Sequence, residues 1–209
     1  MWKYAEARLD SDEVHAIPVS EMPQSGIPDD WVSVRVDGME FRLPSDVVEM
    51  KDRSNSSVAI FHNGVDVMVM VDRPADNGEL YEDVVKIRPE LEGLTLPRLR
   101  CYFCQFSTSD FRWSMTLDEV RWHAYCMREG QLFRFRQFGR VETMFRDDIE
   151  GIIHFDGKFA FFSWEHKQSK QGGYINFCGA SPTIDANFVR GVCESFKFSV
   201  GQKTDTDVN

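Results

Sequence analysis

The sequence predicts an α+β domain in which one large antiparallel β-sheet, built from two N-terminal hairpins and a C-terminal meander, is flanked by amphipathic helices. Three observations carry this. Apolar alternating segments flank Asp37-Gly38, and apolar runs flank Asn63-Gly64, the strongest short-range hairpin signal. Strand-like segments at 150–155, 159–166 and 174–178 follow one another closely. Two segments near residues 117–130 and 182–196 carry apolar residues at helical spacing instead.

In order along the chain, Val32, Val34 and Val36 alternate with Ser33 and Arg35, and Met39, Phe41 and Leu43 alternate with Glu40 and Arg42. The runs 57–62 and 65–71 form the second hairpin. Leu80, Val84 and Ile87 have helical spacing over 79–88, which Pro89 should stop or kink. Residues 99–106 are apolar and aromatic enough to read as a buried strand. Thr116-Leu117-Asp118-Glu119 is a capping box: the Thr oxygen accepts the amide three residues on, and the Glu carboxylate accepts the cap amide. The helix it opens should end at Gly130 and present Leu117, Val120, Ala124 and Met127 to the core. A strand over 132–138 then leads into the meander, whose turns fall at Asp156-Gly157 and at 167–173. Ser181-Pro182 offers a helix start, and Ile184, Phe188, Val192 and Phe196 recur every four residues after it.

The chain has 209 residues, 42% of them hydrophobic, which is enough for a sizeable core without help from disulfides or metals. Residues 1–30 hold Pro18, Pro23 and Pro28 among acidic side chains and read as an N-terminal strap or lead. Residues 31–200 form the domain, with an inserted helix and strand at 72–112, and 201–209 form a polar tail. The net charge is −10, and its imbalance lies at the N-terminus, where Asp and Glu outnumber Lys and Arg by 11 to 4 over residues 1–50. An acidic surface disfavours nucleic acid, whose binding rests on cations meeting phosphate. No apolar run approaches the ~18 residues of a membrane span, so no membrane insertion is expected. The opening Met1-Trp2-Lys3-Tyr4-Ala5-Glu6 lacks the apolar stretch of a signal peptide, and the five cysteines are odd in number. Both point to a cytoplasmic protein.

Gly38-Met39-Glu40-Phe41-Arg42-Leu43-Pro44-Ser45, a strand running into a Pro-Ser turn, and the last strand and helix over 173–198 resemble the PsbP-like superfamily in pattern and order. The insertion at 72–112 departs from that group's smallest members. The superfamily's members are mostly binding or accessory proteins, so the resemblance implies a non-catalytic role and transfers no active site.

Several constellations of residues could carry chemistry. Cys101-x-x-Cys104 with His123-x-x-Cys126 supplies ligand types for a tetrahedral zinc site. On a strand, however, Cys101 and Cys104 would point to opposite faces, so the expectation is no metal and no cofactor. Glu165 with His154 or His166 across the 150–166 hairpin is the one acid–base arrangement within reach of a hydrolase-type mechanism, and no nucleophile accompanies it. Asp147, Asp148 and Glu150 could attract a divalent cation, although a solvated strand end explains them equally. Phe133, Arg134 and Arg136 alternate aromatic with basic, and Trp122 falls on the predicted polar face of its helix beside Asp118 and Glu129. These four residues are the expected partner surface, unless the N-terminal strap covers Trp122. The functional expectation is therefore a cytoplasmic, non-catalytic protein-interaction domain. A Glu/His hydrolase and a small structural zinc module are the alternatives.

Overall fold

The computed structural model describes residues 15–45, 47–53, 57–62, 67–72, 74–76, 84–132, 140–156, 159–179 and 184–200. Its strands are β1 (Val19–Glu21), β2 (Val32–Val36), β3 (Met39–Leu43), β4 (Val47–Arg53), β5 (Ser57–His62), β6 (Val67–Asp72), β7 (Ala75–Asp76), β8 (Arg140–Phe145), β9 (Ile149–Asp156), β10 (Phe159–His166), β11 (Gln171–Gly179) and β12 (Lys197–Phe198). The helices are α1 (Leu96–Cys104), α2 (Leu117–Leu132) and α3 (Ala186–Ser195). The fold is α+β, with a large sheet in the order β1-β8-β9-β10-β11-β6-β5-β4, in which β7 also pairs with β11. Every pairing in it is antiparallel except β1 with β8.

The expected meander is present as β9, β10 and β11, and the second hairpin as β5 and β6. The first hairpin forms where expected but belongs elsewhere. Its strands β2 and β3 join β12 in a separate three-stranded sheet. Asp37 and Gly38 both adopt positive φ, 46° and 82°, as a type I′ turn requires. Gly38 is further constrained because a Cβ there would lie 2.6 Å from the Ser199 carbonyl oxygen. The Ser199 N–H in turn donates to the Gly38 carbonyl, tying the end of β12 to the hairpin.

One face of the large sheet carries Met144, Ile149, Ile153, Phe162, Trp164, Ile175 and Phe177, covered by Met39, Phe41 and Leu43 of the small sheet and by Val189, Val192 and Cys193 of α3. Phe196, just past α3, meets both Phe162 and Trp164. The α3 cap is Asp185, whose carboxylate accepts the Asn187 amide; Ser181 and Pro182 lie outside the described residues. The opposite face is covered by α1, which crosses β9 and β10. With both faces covered, β10 is buried along nearly its whole length, and its first four residues, Phe159 to Phe162, are apolar in succession rather than alternating.

Residues 99–106 are not a strand. Residues 96–104 are α1, begun by Thr95, whose hydroxyl accepts the Arg98 amide, and by Pro97 in the first turn. The helix is buried nearly all round because it is sandwiched, with Cys101 and Cys104 toward Val141 and Ile152 of the sheet and Leu99 and Phe103 toward α2. The Thr116–Glu119 capping box forms as expected. The α2 core face differs in part from expectation: Met127 is buried as expected, but Leu117 is 64% exposed, while Trp122, His123 and Cys126 are buried. The difference arises because α2 packs on α1, so Leu99 and Phe103 choose its buried stripe. Residues 84–87 are helical, and Pro89–Leu91 form a 3-10 turn after them. The expected strand at 132–138 falls on described residues only at Leu132, which ends α2.

From residue 15 to 31 the chain straps the outer edge of β8. Val141 N–H donates to the Pro18 carbonyl and Met22 N–H to the Thr143 carbonyl. Ile17 N–H reaches the Cys104 carbonyl at the end of α1, and Ser25 reaches the Glu194 carboxylate on α3. The strap thus joins the layers on both sides of the sheet and covers an edge that would otherwise invite pairing.

Candidate functional site

A set of paired ionisable side chains lies between α1 and the sheet. Glu150 of β9 and Glu165 of β10 are directly opposed across the ladder and only 2% and 1% exposed. Each is held by the start of α1. Glu165 accepts the Leu96 backbone N–H at 2.8 Å, and Glu150 accepts the Thr95 hydroxyl at 2.5 Å and Arg98 Nε at 2.7 Å. From the β10–β11 turn, Lys167 Nζ lies 3.2 Å from Glu150 and Lys170 Nζ 3.7 Å from Glu165. Burial alone would raise the Glu150 pKa, but hydrogen bonds from Arg98, Thr95 and Lys167 outweigh it and hold the carboxyl below the ordinary glutamate value. Two like charges are tolerable here because three cations and a helix N-terminus face them. The positive end of α1, elsewhere a ready anion site, is filled by the chain's own carboxylates.

Further along the same face, Arg100 of α1 is fully buried and donates to the Ser163 hydroxyl and the Tyr174 hydroxyl. His154 stacks on Phe161 at 4.3 Å between ring centres. Burial, with the nearby Arg100 charge, pushes its pKa down to about 3, so the ring is neutral at physiological pH.

The structure does not assemble the Glu/His acid–base pair. His154 is opposite Phe161, four residues along β10 from Glu165, or roughly 13 Å at the strand rise. His166 occupies the other face, against Phe198, where its Nδ1 accepts the Ser169 amide and steadies the β10–β11 turn. Asp147 and Asp148 are exposed in the β8–β9 turn, separate from the buried Glu150.

The zinc set is likewise dispersed. Cys101 and Cys104 pack against Val141 and Ile152, whereas Cys126 packs with Trp122 and Leu99. The strand argument applied to the two cysteines is replaced by a helical one: three residues apart on α1, they share one side. His123 Nε2 donates to the Ser107 carbonyl at 2.9 Å and sits between Phe106 and Phe111. Among the described residues no three His, Cys, Asp or Glu side chains are grouped to hold a metal. Burial pushes the Cys101 and Cys104 thiols up to about 12 and those of Cys126 and Cys193 well above their usual value, so they pack as neutral thiols.

Of the expected partner surface, Phe133, Arg134 and Arg136 lie outside the described residues. Trp122 is 7% exposed, its ring packed with Val84, Leu91, Leu99 and Phe103. Tyr125 stacks on it, the Arg88 guanidinium lies 4.9 Å from its ring, and its Nε1 donates to the Tyr102 hydroxyl at 3.4 Å. It is therefore a core residue of the helical layer, covered by α1 and residues 84–91.

Among the described residues the most exposed aromatic is Trp113, at 108%, against 39% for Phe145 and 38% for Phe159. Its turn is fixed on both sides. Ser107 and Asp110 form one capping box, Thr116 and Glu119 form another, and Phe111 is seated on His123. The Arg112 guanidinium donates to the Ser109 carbonyl at 2.7 Å and stiffens the loop from within. Leu117, one turn on, is the next exposed apolar side chain. The signal was in the sequence: a tryptophan stands between two helix-start patterns, Ser107-x-x-Asp110 and Thr116-x-x-Glu119, and so has no regular element of its own to bury it. Compared with known proteins, the chain matches no family model and no curated protein.

Proposed function

We propose that the chain is a non-catalytic, cytoplasmic binding domain that engages a protein partner through the Trp113 turn, the kind of role the PsbP-like resemblance implies. The observation that carries this reading is the full exposure of Trp113 on a turn held by two capping boxes. Tryptophan is a preferred anchor at interface centres, and a turn whose flanking backbone is already held by capping boxes loses less conformational freedom on binding. Two further features support it. The buried carboxylates are engaged in holding α1 to the sheet, and the buried thiols are protonated rather than nucleophilic. The acidic balance favours protein over nucleic acid as the partner. No helix among the described residues is long and apolar enough to cross a membrane.

The test is capture by the immobilised chain, with retained proteins identified and compared between the parent and Trp113→Ala. Truncation of an anchor should weaken capture by about 2 kcal/mol or more, while circular dichroism stays unchanged. Equal retention by the two forms would remove Trp113 from the binding surface.

A further inference from the structure

Cys101 and Cys104 stand three residues apart on α1 and so share one side of the helix. Both pack with Val141 of β8, Ile152 of β9 and Ile17 of the strap. The strap is the weak wall of this pocket. From 15 to 31 no residue is fully buried; Ile17, Met22, Ser25, Ile27 and Trp31 are half-buried and the others exposed. Its pairing to β8 spans three residues, Val19 to Glu21, in the slightly less stable parallel sense. A segment with so little buried surface opens at low free-energy cost while the sheet and α1 stay folded. Opening brings water to the two thiols, which burial keeps protonated in the closed chain.

We propose that Cys101 and Cys104 are a dithiol modification site, closed by the strap and oxidised to a disulfide when the strap lifts, the oxidant being a low-molecular-weight disulfide such as glutathione disulfide. One Cys thiolate attacks a sulfur of the oxidant, breaks its S–S bond and expels the first glutathione thiolate. The other Cys thiolate attacks the mixed disulfide at the cysteine sulfur, forms the Cys101–Cys104 bond and expels the second. Two electrons pass from the cysteine pair to glutathione, and the two thiol protons end on the glutathione thiolates. The site does not depend on the reading of Trp113.

The backbone couples this bond to the strap. Cβ atoms three residues apart on a helix are about 5–6 Å from each other, whereas a disulfide needs about 3.5–4.5 Å. The last turn of α1 must therefore tighten, and Cys104, its final residue, is the one free to move. The Cys104 carbonyl is also the acceptor of the Ile17 N–H, at 2.9 Å. Closing the disulfide shifts that carbonyl and loosens the strap, and by reciprocity a lifted strap favours the disulfide. The edge of β8 is thus covered in the reduced chain and released in the oxidised one.

The test compares the full-length parent with Ile17→Ser, with circular dichroism confirming that the variant is folded. Gly191→Ala, which disturbs the strap at Trp31 instead, takes its place if it is not. Iodoacetamide labelling mapped by mass spectrometry should be about tenfold or more faster at Cys101 and Cys104 in the variant. Cys126, which packs with Trp122 and Leu99, should label at an unchanged rate. Glutathione disulfide should then leave the peptide 101–112 lighter by two hydrogens, sooner in the variant than in the parent. In the oxidised parent the Ile17 amide should exchange faster than in the reduced parent. Labelling no faster in the variant, or a rise shared equally by Cys126, overturns the gating by the strap. Glutathione adducts without the internal bond overturn the dithiol site, and unchanged Ile17 exchange in the oxidised parent overturns the coupling.

Discussion

The Glu165 carboxylate on β10 accepts the backbone N–H of Leu96, the first residue of α1, at 2.8 Å. A strand side chain thus caps a helix laid across the sheet and satisfies an amide that the helix itself leaves open. Glu165→Leu should cost about 1–3 kcal/mol by orphaning that buried amide, and Glu165→Gln, which keeps an acceptor, should cost less. Urea unfolding of the three forms checks the order. Identical midpoints would mean that α1 is not held through Glu165.

Acid should destabilise the protein in two stages. His154 has a folded pKa of about 3 against 6.5 unfolded, so below pH 6.5 the unfolded chain binds the extra proton and stability falls with pH by up to roughly 1.4 kcal/mol per unit. The Glu150 carboxyl is held below its ordinary value of 4.5, so its contribution is full above that pH and is lost as pH drops through the folded value. Stability measured against pH should therefore decline from near 6.5 and continue to decline below 4.5. His154→Phe should flatten the first stage and leave the second. A parent curve level between pH 4.5 and 6.5 would contradict the neutral, buried histidine.

The two tryptophans near α2 should respond oppositely. Trp122→Ala opens a cavity between α1 and α2 and should cost about 3–5 kcal/mol, whereas Trp113→Ala, at a fully exposed position, should shift stability by less than about 0.5 kcal/mol. Denaturant midpoints decide this. A large loss from Trp113→Ala would show that the turn itself holds the fold.

Gly191 of α3 lies against the strap residue Trp31, where a Cβ would come within 2.9 Å of the indole ring. Gly191→Ala should push Trp31 aside and loosen the strap. Amide exchange at Met22 and Val141, which hold the strap to β8, should then quicken before exchange in β10 does. Unchanged exchange at both amides would show that Trp31 does not anchor the segment.

The meander and the second hairpin were legible because their alternation, apolar runs and turn residues agree locally, as they do for β9 and β10. The first hairpin was legible as a hairpin, but its membership in a second sheet depends on β12, two residues long and remote in sequence. Residues 96–104 misled because a helix buried on two sides loses its polar stripe and resembles a strand; Thr95 and Pro97 were the better signal. Trp122 misled for a related reason. The α2 sequence allows two apolar stripes, and the choice between them lies with α1 rather than with α2 itself. Trp113 was missed, although its flanking capping patterns were a signal for it, and its exposure depends on where α1 and Phe111 place the turn.

The Trp113 turn is the proposed binding surface of the protein. Oxidative footprinting of the tryptophans tests it directly, on the free chain and on the chain in complex with a captured protein. In the free chain Trp113 should oxidise readily while Trp122 and Trp164 resist, and in complex Trp113 should become protected with little change at the other two. Oxidation of Trp113 at the same rate in both states would contradict the account.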